Sequence, residues 1–169
     1  MTINNGNKSF ITLISNKTAR PKFQITNTEY EVNENLLLSC AKKILKEELP
    51  GKRVELNLLL CDDTVMQNYN RTFRGDDSVT DVLCFNYYDS ILETEDKAFP
   101  SLYCDIIIDI KQLERQKGTK SMENELIEIF IHSLLHALGY DHIKLEDRLL
   151  MEEKEKQYIN KIVGDKTSG

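Results

Sequence analysis

Between Ser121 and Leu138 the chain carries Leu126, Ile127, Ile129, Phe130, Ile131, Leu134 and Leu135. Wound as a helix, these residues leave almost no polar face, and a helix that is apolar nearly all round has to be buried. This segment decides what kind of fold is reachable, because the rest of the chain must supply layers that cover it. Ser121 and Asn124 are both candidate caps for its start. Gly139 ends it and can take a left-handed backbone conformation.

The covering layers can be read from periodicity. Glu34–Glu48 places Leu37, Leu38, Ala41, Ile44 and Leu45 at helical spacing and stops at Pro50-Gly51. Leu145–Val163 is a charged amphipathic helix. Val54–Cys61 alternates through Val54, Leu56 and Leu58 and then turns apolar, which predicts a strand. Further strands are expected at Phe10–Ser15 and Phe23–Thr26, joined by a turn near Pro21, and at Asp81–Tyr87 and Leu102–Ile110. A short helix capped by Asp62 or Asp63 runs through Phe73, followed by a polar loop over Arg74–Thr80. Lys111–Gln116 makes another short helix before Gly118, and Asp89–Phe99 an acidic loop. The expected fold class is α+β: a single mixed β-sheet of about four strands packed with helices, with a metal site at the end of the central buried helix. Residues 1–169 carry no repeat or low-complexity tract and read as a single domain, with a loose polar end at 1–8.

Composition excludes several function classes. The formal net charge of −6 argues against holding nucleic acid by bulk positive charge. Segments 42–53 and 111–120 are locally basic, and they are candidate RNA-facing patches or solvated faces. No apolar run approaches the roughly 18 residues that span a bilayer. The amino-terminal stretch lacks a basic-then-apolar leader, so a cytoplasmic protein is expected. The four cysteines, Cys40, Cys61, Cys84 and Cys104, form no C-x-x-C pair and sit in apolar settings, the pattern of buried thiols.

All three histidines of the chain fall within the stretch His132–His142, HSLLHALGYDH. Four residues apart on a helix, His132 and His136 share one face. A reversal at Gly139 returns His142 toward the same point. Three neutral imidazoles with an open fourth position describe a catalytic zinc site, one Zn2+ per chain. The spacing resembles the metzincin peptidase pattern, but Ser133 stands where those enzymes carry their glutamate base, which removes the group that activates water for peptide hydrolysis. Asp141 suits two roles, orienting a histidine or holding the turn after Gly139.

Three blocks resemble a known family, the YbeY-type endoribonucleases or rRNA maturation factors. His132–His142 is similar to the family signature H-G-x-L-H-x-x-G-Y-D-H, with Ser133 for its glycine. Residues 69–85 resemble N-x-x-[YF]-R-x-x-D-x-x-T-[DN]-V-L-S-F, with Val79 for proline and Cys84 for serine. Residues 102–106 resemble L-G-D-I, with Cys104 for glycine and one inserted residue. The likeness runs from about Val54 to Ile159 and leaves the first thirty residues unmatched. It implies a zinc-dependent, single-strand-specific endoribonuclease acting on the 16S rRNA precursor in 3′-end maturation, and in quality control with the small ribosomal subunit. It also implies an arginine in the active cleft, which maps to Arg74. The chemistry agrees, since guanidinium is a permanently charged fork suited to phosphate. A loop arginine can instead pair with a neighbour, here Asp76 or Asp77. The competing functions are a zinc hydrolase of another substrate and a ribosome-assembly binding factor with a structural metal.

Overall fold

The computed structural model describes residues 22–27, 30–87 and 102–164. Among these the chain runs β1 (Lys22–Asn27), α1 (Glu34–Glu48), β2 (Val54–Cys61), α2 (Asp63–Arg74), β3 (Val82–Asn86), β4 (Leu102–Asp109), α3 (Ile110–Gln116), α4 (Met122–Ala137) and α5 (Leu145–Val163). The strands form one sheet in the order β1-β2-β4-β3. The β1–β2 and β2–β4 pairs are parallel, and β3 lies antiparallel to β4 at the edge. The fold is therefore the mixed α+β one expected. Helix α1 makes the crossover that a parallel β1–β2 pair requires.

Strand periodicity sorts the side chains into two layers. Phe23, Ile25, Leu56, Leu58, Leu60, Cys104, Ile106 and Ile108 point to one face and join a core with α1, α4 and α5. Helix α4 is the buried apolar helix: Leu126, Ile127, Phe130, Ile131, Leu134 and Leu135 are all buried. Each such side chain contributes about 1.5–3 kcal/mol on burial. On the opposite face, among the described residues, α2 covers only part of the sheet, where Met66 packs with Cys61, Leu83 and Ile107. The remainder of that face is left to polar and aromatic residues.

Cap chemistry accounts for the differences at element ends. Asp62, not Asp63, caps α2, its side chain accepting from the Val65 N–H. The loop expected from Arg74 begins one residue later. The helix continues until Gly75 takes φ 70° and its N–H bonds back to the Arg71 carbonyl, so Arg74 is the last helical residue. Ser121 rather than Asn124 caps α4, accepting from the Asn124 N–H at 3.1 Å. Asp109 caps α3 through Oδ1, which draws Ile110 out of the strand and into the helix. Its Oδ2 is buried with no hydrogen-bond partner among the described residues, and burial pushes the Asp109 pKa up to about 6. Strand β3 is one residue shorter at each end than expected. The expected strand Phe10–Ser15, the loop Asp89–Phe99 and the loose end 1–8 lie outside the described residues.

The thiols behave as buried groups. Cys40, Cys61 and Cys104 are buried and Cys84 is half-buried. Burial pushes Cys40 and Cys61 up to about 12 and Cys84 to about 11 and raises Cys104 as well, which disfavours a thiolate nucleophile. No helix among the described residues is long and apolar enough to cross a membrane.

Candidate metal centre and phosphate-binding arginine

The end of α4 builds the site. His132 and His136 lie one turn apart on it. Gly139 then takes φ 96°, a conformation costly for any residue with a Cβ, and the chain reverses. The Tyr140 N–H reaches back to the Leu135 carbonyl at 3.0 Å and fixes that reversal. Asp141 holds the next step: its Oδ1 accepts from the backbone N–H of His142 at 2.6 Å and of Ile143 at 3.3 Å. Of its two possible roles, the turn is the one these contacts fill. His142 is thereby returned to the other two, with ring centroids 4.8 Å from His136 and 6.0 Å from His132. One ligand atom from each of the three lies within 4.8 Å of the others. His132 and His136 are half-buried, and His142 is exposed.

Hydrogen bonding sets the tautomers. His136 Nδ1 faces the Tyr140 carbonyl oxygen at 3.0 Å, which can only accept, so Nδ1 carries the proton. His132 Nδ1 faces Glu155 Oε1 at 2.5 Å and donates for the same reason. In the neutral rings each Nε2 then presents a lone pair, and the two Nε2 atoms are 3.1 Å apart. Two acceptors at that distance repel unless a cation lies between them. Burial and the neighbouring His132 push the His136 pKa down, so protonating that ring is disfavoured. A tetrahedral ion with bonds of about 2.0–2.1 Å to nitrogen separates its ligand atoms by about 3.3 Å. The histidine group fits a metal ion by this test.

Glu155 has no counterpart in the sequence reading. It lies on α5, whose many carboxylates look alike in one dimension, and only the packing of α5 on α4 selects it. A carboxylate on the far nitrogen of a ligating imidazole fixes its orientation and raises its basicity. In Glu155→Gln protein, metal affinity should fall about 10- to 100-fold. Competition against a chelator reads this directly, and an unchanged dissociation constant would remove Glu155 from the site.

The substitutions at the family positions fall in packing. Ser133 is buried, and its Oγ donates to the Ile129 carbonyl of its own helix at 2.8 Å. Cys104 is buried in the sheet.

Arg74 stands on the other side of β3 from the histidine helix. Its charge acts on the Cys84 thiol, and that thiol donates to the Ser133 carbonyl of α4 at 3.7 Å. The side chain is exposed and makes no ion pair among the described residues. Asp77 pairs with Arg71 instead, at 3.3 Å. Most basic side chains of segment 111–120 are already ion-paired. Arg115 is bound to Asp63, Lys117 to Glu114, and Lys120 to Glu125 and Glu128. Helix α4 starts at Met122, ten residues before His132, which puts about 15 Å of helix between them.

Comparison with known proteins reaches the same segments. A family model described as endoribonuclease YbeY matches residues 17–163. The endoribonuclease YbeY of Fusobacterium nucleatum is 39% identical over 140 residues, 79% of this chain and 83% of its own. That of Neorickettsia sennetsu is 31% identical over 143 residues, 83% of this chain and 96% of its own. A Thermotoga maritima protein solved in solution has the same fold, with TM-score 0.60 and 27% identity over 88% of this chain and 93% of that one. The matched span takes in the sheet, Arg74 and every histidine, and the chain belongs to the YbeY endoribonuclease family.

Proposed function

We propose that this endoribonuclease is zinc-dependent and selective for single-stranded RNA, and that it works in the cytoplasm on the 3′ end of the 16S rRNA precursor and in quality control of the small ribosomal subunit. The observation that carries the zinc reading is the pair of Nε2 lone pairs 3.1 Å apart, with both outer nitrogens already committed. The ribosomal role rests on the family likeness of the three sequence blocks.

In this reading His132, His136 and His142 hold the ion. Bound zinc supplies Lewis acidity and brings the pKa of water down to about 7. Glu155 and the Tyr140 carbonyl keep the protons of His132 and His136 on their outer nitrogens. Arg74 holds the phosphodiester from across β3 and balances charge as it builds on the phosphoryl oxygens. Peptide hydrolysis fits poorly, because Ser133 carries no carboxylate and its hydroxyl is spent on the Ile129 carbonyl. A purely structural metal also fits poorly, since three protein ligands with His142 at the surface leave one side open.

The test is cleavage of single-stranded RNA by protein stripped with a chelator and by the same protein reloaded with zinc. Cleavage should vanish on stripping and return on reloading. Undiminished cleavage by the stripped protein would reject the reading.

A further inference from the structure

We propose that the open sheet face on the α2 side of β3 is a stacking platform for the unpaired bases of the strand whose phosphate meets Arg74. The choice of ligand rests on the endoribonuclease reading, whereas the geometry stands on its own. Helix α2 leaves a groove of about 510 Å³ on that face. This is within the range of roughly 300–1,000 Å³ for sites that take small organic groups. Tyr69, Phe73, Phe85 and Tyr87 wall it, over a floor that includes Asn57 and Asp105. Phe73 is 61% exposed, so its ring is offered to whatever enters.

These rings are held in place. Phe73 lies nearly parallel to Tyr69, with centroids 5.8 Å apart and an interplanar angle of 19°. Its centroid is 5.1 Å from that of Phe85. Tyr87 packs on Tyr103 at 4.9 Å, and its hydroxyl donates to Asp105 Oδ2 at 2.9 Å. The other oxygen of Asp105 accepts from Asn57 Nδ2 at 2.7 Å, so the floor also braces the wall. Aromatic walls over a floor of amide and carboxylate groups match a nucleobase, which has π-faces and a hydrogen-bonding edge.

Continuity points the same way. Phe73 and Arg74 are consecutive residues, and Arg74 acts on Cys84, which touches the histidine helix. A strand laid over the β3 edge would stack its bases on the aromatic side, pass its phosphate by Arg74 and reach the histidines beyond. A duplex cannot do this, because its bases are stacked on one another and paired. Selection for single strands would then be made at the groove.

The test uses metal-stripped full-length protein and a single-stranded RNA of about 12 nucleotides, carrying 2-aminopurine as a reporter of stacking. Wild-type protein should bind it and change its fluorescence. Phe73→Ala and Phe73→Leu should each weaken binding by roughly 5- to 150-fold, while Phe73→Tyr should bind as wild type does. Thermal melts establish that the variants are folded. Failure of the wild type to bind, or Phe73→Leu binding as tightly as wild type, would overturn the platform, and the groove would then be open to a protein partner. Because the readout needs no cleavage, the two readings fail separately. Ring-dependent binding by a protein that never cuts RNA when zinc-loaded removes the nuclease mechanism and keeps the platform. Zinc-dependent cutting with ring-independent binding does the reverse.

Discussion

Replacing His136 with alanine should take bound metal from about one equivalent per chain to background, and RNA cleavage with it. His136 is central among the three: its ring centroid lies 4.6 Å from that of His132 and 4.8 Å from that of His142, whereas those two are 6.0 Å apart. Removing it leaves two imidazoles at the wider separation, one of them at the surface. Two such ligands do not make a closed site for zinc, which takes three in catalytic centres. The loss of activity should not reflect unfolding. His136 is only half-buried, and its removal also takes away the opposed lone pairs that burden the metal-free protein. Elemental analysis, an RNA cleavage assay and a melting curve on the same preparation give the three readings. A folded His136→Ala protein that still cuts RNA would sink the metal mechanism. Normal rRNA maturation in cells carrying only that zinc-free protein would favour the assembly factor with a structural metal.

Arg74→Ala should give the complementary signature: full metal content with cleavage down about 10²- to 10³-fold, the usual cost of deleting one charge-stabilising donor. The side chain is exposed at the last turn of α2, so truncation removes little packing. Arg74→Lys should recover only part of the loss, because an ammonium keeps the charge but not the two-pronged geometry that fits a phosphate. Rates equal to wild type in Arg74→Ala would mean that the phosphate is held elsewhere. Metal loss in that variant would mean that Arg74 supports the histidines rather than the substrate.

The histidine site could be read from the sequence because local geometry governs it. A helix puts residues four apart on one face, and a glycine after its end permits the reversal. The same locality made α1, β2, α4 and α5 legible from periodicity alone. What escaped was set by tertiary packing. Nothing in one dimension separates Glu155 from its neighbours on α5. The strand order β1-β2-β4-β3 comes from pairings between distant segments. Adjacent Asp62 and Asp63 have equal capping chemistry, so only the backbone path chose between them. The segment 111–120 reads as basic because the partners of Arg115 and Lys120, namely Asp63, Glu125 and Glu128, lie outside it.

The edge strand also bears on how the enzyme comes into being. His132 and Glu155 are 23 residues apart, and the other two histidines lie between them. Strand β3, which follows Arg74 in the chain, meets the histidine helix through a contact that spans 49 residues, from Cys84 to Ser133. Short loops close at lower entropic cost than long ones, and local contacts precede non-local pairing in folding. On the proposed roles, the metal-holding residues are thus joined by more local contacts than those that dock β3 on their helix, and a newly made chain gains its cutting power only when the sheet has closed.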